Sequence, residues 1–184
     1  MLANLYGDFF KGGKFNTLPS IVRDGVILHR EIDDYFDHHP AIKALRKSLS
    51  KHLPKIAGIA IDLFIDHLLA QHWSKYCSQE LDYFLHDFFR FTHIESNLHF
   101  LTTPPKFIYP KEFILLIRLI EDKDWILRYR NLEGLDMACY GLSKRISFSN
   151  NLQKAPIVYY DFKQEVFAAF EAFMEDARRH FPHS

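Results

Sequence analysis

Reactive side chains are concentrated between Gly25 and Pro40. The segment holds three histidines (His29, His38, His39), four carboxylates (Glu31, Asp33, Asp34, Asp37) and Arg30. Its apolar residues Val26, Ile27, Leu28, Ile32, Tyr35 and Phe36 recur at helical spacing. On a helix, His29, Asp33 and Asp37 are each four apart and share one face. An imidazole followed by two carboxylates binds a divalent metal, forms a salt-bridged surface, or does both.

A second concentration follows Pro54. Ile56, Ile59, Ala60, Ile61, Leu63, Phe64, Ile65, Leu68, Leu69 and Trp73 cover most of a helical circumference. A helix apolar nearly all round is a central, buried one. Yet it carries Asp62, Asp66, His67 and His72. Asp62 and Asp66 stack four apart, with His67 one step round. Unpaired carboxylates are almost never fully buried, because desolvation costs several kcal/mol per charge. The expectation is therefore a buried acidic pair compensated by an arginine or a metal ion. His72, beside Trp73, suits a structural histidine. Asp8 stands among Leu5, Tyr6, Phe9 and Phe10, and either has a chemical role or is a solvated turn residue.

These residues need a scaffold. With 184 residues, 48% of them apolar and 18 of them Phe, the chain is expected to form one domain, 1–184, with a sizeable core. Lys+Arg and Asp+Glu are both 23, so bulk charge argues for neither nucleic acid nor membrane. Cys77 and Cys139 make neither a disulfide framework nor a zinc knuckle, and suit a reduced, cytoplasmic setting. No signal peptide and no membrane-length apolar run is expected.

The periodicity predicts a short helix or turn closed by Gly12-Gly13, then helices from Ser20 to about Phe36 and from Pro40. The Pro40 helix carries Lys43, Arg46, Lys47 and Lys51 on a basic face, which is ordinary solvated surface or faces a partner. Further helices are predicted from Pro54, over Ser78–His99, Lys111–Glu121 and Leu132–Ser147, and in one long run over Val158–Phe181. Trp125–Tyr129 carries Arg128 and Arg130. His86, His93 and His99 suit surface or core-capping positions. Leu101–Pro110 is a loop, since Pro104-Pro105 forbids helix. With no strand alternation and no repeat, the fold class is all-α, a single bundle of seven or eight helices.

The motifs now carry a resemblance. Gly7-Asp8-Phe9-Phe10-Lys11-Gly12, Gly25-x-x-Leu28-His29-Arg30-x-Ile32-Asp33, His39-Pro40 and Asp62-x-x-x-Asp66-His67-x-Leu69-Ala70-x-x-Trp73 resemble, in that order, the acyl carrier protein phosphodiesterase family. Weaker echoes are Pro104-Pro105-Lys106-Phe107, Trp125-x-x-Arg128-Tyr129, and Leu142 with Arg145. The resemblance implies an HD-domain-like helical fold and a metal-dependent phosphohydrolase. Its implied substrate is holo-acyl carrier protein, an acidic helical bundle from which 4′-phosphopantetheine is removed. The implied ion is Mn²⁺, with Mg²⁺, Fe²⁺ or Zn²⁺ also compatible with mixed N/O ligands. Such an ion activates water and relieves charge at phosphorus.

On that resemblance His29, Asp66 and His67 are expected as metal ligands, and Asp8 and Asp33 as ligands or general bases. Asp62 and His72 would orient the ligands. Arg30 would hold a phosphate oxygen or pair with Asp33, Asp34 or Asp37. His38 or His39 would protonate the leaving serine or lie in solvent. The basic face of Lys43, Arg46, Lys47 and Lys51, with Lys11, Lys14 and Arg23, would meet the acidic carrier. The family pattern also expects a histidine-bearing Leu-Ala-His stretch ahead of Gly7-Asp8-Phe9, and the sequence opens just before that motif. Two other classes stay open: a metal-dependent hydrolase of another phosphodiester or nucleotide, and a non-catalytic helical binding protein with a buried ion-pair network.

Overall fold

Every regular element among the described residues is helical. The computed structural model describes residues 1–12, 15–97, 107–122 and 124–182, without the side chains of 93–97 and 122. Lys14, the side chain of His93, His99 and most of the predicted 101–110 loop lie outside the described residues. Ten α-helices are present among them: α1 (Leu2–Leu5), α2 (Ser20–His38), α3 (Pro40–Leu49), α4 (Ala57–Gln71), α5 (Leu81–Asn97), α6 (Lys111–Asp122), α7 (Trp125–Arg128), α8 (Leu132–Arg145), α9 (Ala155–Asp161) and α10 (Lys163–His180). The count exceeds the predicted seven or eight because α1 and α7 are single turns and the last predicted helix is two. No described helix is long and apolar enough to cross a membrane.

The chain gathers into two compact units. The first comprises Met1–Tyr35 and Gln79–Asp124. Its core joins Leu2, Tyr6, Val22, Val26, Phe88 and Phe113. Val22 and Val26 are four apart, so they fall on one face of α2. The Tyr6 ring meets Phe107, Tyr109 and Phe113 edge-on at 5.6, 5.2 and 5.3 Å. Such pairs add about 0.5–1.5 kcal/mol each beyond area burial. Gly25 lets α1 lie against α2, since a Cβ there would sit 2.5 Å from the Ala3 Cβ.

The second unit comprises Phe36–Ser78 and Trp125–Ser184. Helix α4 is its hub, packed on α3, α8 and α10. Ala60, Ile61, Phe64 and Leu68 of α4 are buried with Ile42 and Leu49 of α3, Leu135 of α8 and Val166 and Phe170 of α10. Each large apolar side chain buried this way contributes roughly 1.5–3 kcal/mol.

Two departures from the expected boundaries have a visible cause. Pro54 lies in a turn, because Lys55 takes a left-handed backbone (φ 68°), and α4 starts only at Ala57. The expected helix over Val158–Phe181 breaks at Phe162 (φ −108°, ψ 18°), separating α9 from α10. No proline or glycine marks that break. The Phe162 ring instead packs on His52 at 4.8 Å.

Candidate functional site

In the first unit the turn after α1 and the middle of α2 bring Asp8, His29 and Asp33 together. His29 Nε2 lies 3.3 Å from an Asp8 oxygen and 3.1 Å from an Asp33 oxygen. One ligand atom from each residue lies within 4.8 Å of the other two. His29 and Asp33 are adjacent because helical periodicity stacks i and i+4. Asp8 joins them because Gly7 allows the turn to press on α2. A Cβ at Gly7 would lie 2.2 Å from the His29 ring and 2.6 Å from its Cβ. His29 is half-buried, and both carboxylates open to solvent. One imidazole and two carboxylates with reachable outer faces form a donor set that fits a divalent cation of the N/O-preferring kind. Among the described residues, no other group of three acidic, histidine or cysteine ligands has this proximity.

Asp37, expected on the same stripe, belongs to the second unit and pairs with Arg46. Arg30 is committed elsewhere. Its guanidinium donates to the carbonyls of Phe10 (2.9 Å) and Gly12 (3.2 Å) and stacks on Phe15 with 4.7 Å to the ring centroid. It ties the segment after the Asp8 turn to α2.

In the second unit α4 presents Asp62, Asp66 and His67. The expectation that the two carboxylates are buried is corrected: both reach solvent along the one open stripe of α4, and His67 is the buried member. Asp66 is nonetheless closely surrounded by protein. That desolvation first, and the Asp62 charge second, push its carboxyl up to about 7. His67 Nδ1 lies 2.6 Å from the Tyr129 carbonyl. A carbonyl only accepts, so Nδ1 carries the proton and donates. Burial holds this imidazole below its ordinary pKa, outweighing the opposing pull of that hydrogen bond. The neutral ring then keeps an Nε2 lone pair, the tautomer a metal ligand needs. The His72 ring lies tilted against Phe167 with 5.3 Å between centroids, as a structural histidine would.

His38 is exposed, whereas His39 is buried, 3.2 Å from Asp176 through Nε2 and edge-on to Phe173. Lys43, Lys47 and Lys51 are exposed on and just beyond α3.

One feature escaped the sequence reading. A cavity of about 350 Å³ lies between α4, α7 and α8, lined by Leu63, Trp125, Arg128, Tyr129, Leu142 and Arg145 among others. Its roof is fixed by the short α7–α8 turn. Asn131 caps α8 by accepting from the Gly134 amide at 2.8 Å, and a Cβ at Gly134 would lie 1.9 Å from the Arg128 carbonyl oxygen. The only sequence signal was the spacing of the Trp125, Arg128, Leu142 and Arg145 positions.

Comparison with known proteins places the sequence in a lineage. No solved structure matches the chain. The chain is 29% identical over 142 residues to the acyl carrier protein phosphodiesterase of Enterobacter sp. (strain 638), covering 77% of this chain and 69% of the relative. It is 25% and 26% identical, over the same shares, to the proteins of that name from Salmonella agona and Shigella boydii serotype 18. The sequence pattern of the acyl carrier protein phosphodiesterase family matches residues 1–177, which takes in Asp8, His29, Asp33, Asp66 and His67 alike. The chain belongs to the acyl carrier protein phosphodiesterase family.

Proposed function

We infer that the protein hydrolyses the phosphodiester that joins 4′-phosphopantetheine to the serine of holo-acyl carrier protein, releasing apo-carrier. The match over residues 1–177 carries this reading, because it spans the whole set of candidate ligands. It also supports taking the two units as one functional domain. The setting is the cytoplasm, a reducing compartment in which Cys77 and Cys139 stay as free thiols.

Asp8, His29 and Asp33 would hold a divalent ion, with Mn²⁺ the first candidate, and within the second unit Asp66 and His67 are candidate ligands of the same donor type. Such an ion polarises the phosphoryl oxygen and makes water acidic enough to act near neutral pH. The chain's own residues do the rest. Asp33, whose carboxylate is open to solvent beside His29, orients the attacking water and accepts its proton. Asp8 shares that position from the other side of the ring. Asp62 stabilises the protonated form of Asp66 and so tunes its charge. Arg30 keeps the Asp8 turn seated on α2, and this positioning role replaces the phosphate contact expected of it.

Incubation with holo-carrier and Mn²⁺ in ¹⁸O water tests the reaction. Label is expected in the phosphate of released phosphopantetheine. Label in the carrier's serine would mean C–O cleavage and overturn the mechanism. Absence of turnover in protein shown by elemental analysis to hold metal would overturn the activity.

A further inference from the structure

The cavity between α4, α7 and α8 has a chemistry of its own. Arg128 and Arg145 line it and no carboxylate does. Leu63, Trp125, Met137 and Leu142 supply an apolar wall. Its volume of about 350 Å³ falls in the range of small-ligand sites. A predominantly apolar trough with two guanidiniums suits an extended chain that carries an apolar segment next to an anionic group.

Its position narrows the choice. Leu63 lies on α4 one turn before Asp66 and His67. Tyr129, another lining residue, accepts the His67 hydrogen bond through its carbonyl. The cavity wall and the α4 candidate ligands are thus one connected piece of structure.

We propose that this cavity receives the pantetheine arm of the carrier-borne phosphopantetheine, with its gem-dimethyl segment on the Leu63–Leu142 wall and its phosphate end toward Arg128 and Arg145. The proposal rests on the phosphodiesterase reading and adds the subsite that recognises the prosthetic group apart from the carrier protein. Uncharged donors would suffice for an arm lacking phosphate. The two arginines therefore make the site selective for the phosphorylated arm.

Gly141 makes the test clean. It lines the cavity, and a Cβ there would meet no atom within 4 Å. A larger residue at this helical position narrows the cavity without a clash at its Cβ, and leaves the helix with a better former than glycine. Binding is measured with free 4′-phosphopantetheine and, separately, pantetheine, by calorimetry in the presence of chelator. Wild-type protein is expected to bind 4′-phosphopantetheine about tenfold more tightly than pantetheine. Gly141→Leu should lose at least tenfold for 4′-phosphopantetheine while keeping its far-ultraviolet circular dichroism and melting temperature. Arg145→Gln should erase most of the preference for the phosphorylated compound and leave pantetheine binding in place. Equal binding by wild type and Gly141→Leu, or no binding by wild type, overturns the proposal. Turnover separates the two readings: holo-carrier cleavage with an unchanged KM in Gly141→Leu sinks the cavity assignment alone. Cavity-dependent binding without cleavage of holo-carrier by metal-loaded protein supports the cavity and sinks the activity.

Discussion

Gly7 is the residue on which the three-donor cluster depends most directly. Its missing side chain lets the Asp8 turn touch the His29 ring, and an alanine Cβ would meet both the ring and the fixed His29 Cβ. The ring can rotate away from such a contact, but its Cβ cannot. Gly7→Ala is expected to cost about 1–3 kcal/mol, the usual range for overpacking a fitted site, and to weaken divalent-metal binding. A melt in chelator reads the first effect, and metal titration reads the second. Unchanged values in both would show that the turn can move off α2. Cys139 is a second case. It is buried, and burial pushes its thiol up to about 12. Folding therefore favours the protonated thiol. That contribution is complete below the unfolded-state value of about 8.5 and is lost as pH rises toward the folded value. Iodoacetamide at pH 8 is expected to label half-buried Cys77 and spare Cys139 in the native protein. The loss of melting temperature between roughly pH 9 and 11 should be shallower in Cys139→Ala. Rapid native labelling of Cys139 would refute the burial argument.

At the scale of elements, the α7–α8 turn sets the cavity roof. Asn131→Ala removes the side-chain acceptor for the Gly134 amide and is expected to cost about 1 kcal/mol, as an N-cap loss does. The check is the denaturation midpoint at unchanged slope. The elements also show what a sequence can reveal. His29 and Asp33 were legible as neighbours because helical period alone stacks them. The hub character of α4 was legible because its apolar residues leave little circumference uncovered. The open stripe of Asp62 and Asp66 was not, since periodicity does not say which arc of a nearly all-apolar helix goes without a packing partner. The commitment of Arg30 was hidden for another reason: its partners are backbone carbonyls, which carry no residue identity. The break at Phe162 was hidden because packing on His52, not a helix-breaking residue, accompanies it. The cavity required α4 to pack against α7 and α8, which follow it more than fifty residues later, and no local pattern reports such a void.

At the scale of the whole molecule, a near-zero net charge coexists with exposed Lys43, Lys47 and Lys51 on and beside α3. Arg46, which pairs with Asp37, is the less clean probe of that face. Lys43→Glu with Lys47→Glu is expected to raise the apparent KM for an acidic holo-carrier roughly threefold to tenfold, with less effect as salt shortens the Debye length below about 8 Å. Hydrolysis of a small phosphodiester should stay as it was. Parallel loss on both substrates would assign these lysines to folding or chemistry.

The hub position of α4 also has a consequence for how the protein is made. Of the helices that cover α4, only α3 precedes it in the chain; α8 begins about sixty residues later and α10 about ninety. At roughly 5–20 residues per second of synthesis, the most apolar helix therefore leaves the ribosome several seconds before most of its cover exists. During that interval Ile61, Phe64, Ile65 and Leu68 are a sticky surface on an unfinished chain. A newborn copy stalled before Leu132 is expected to depend on chaperone capture, whereas the finished protein is not.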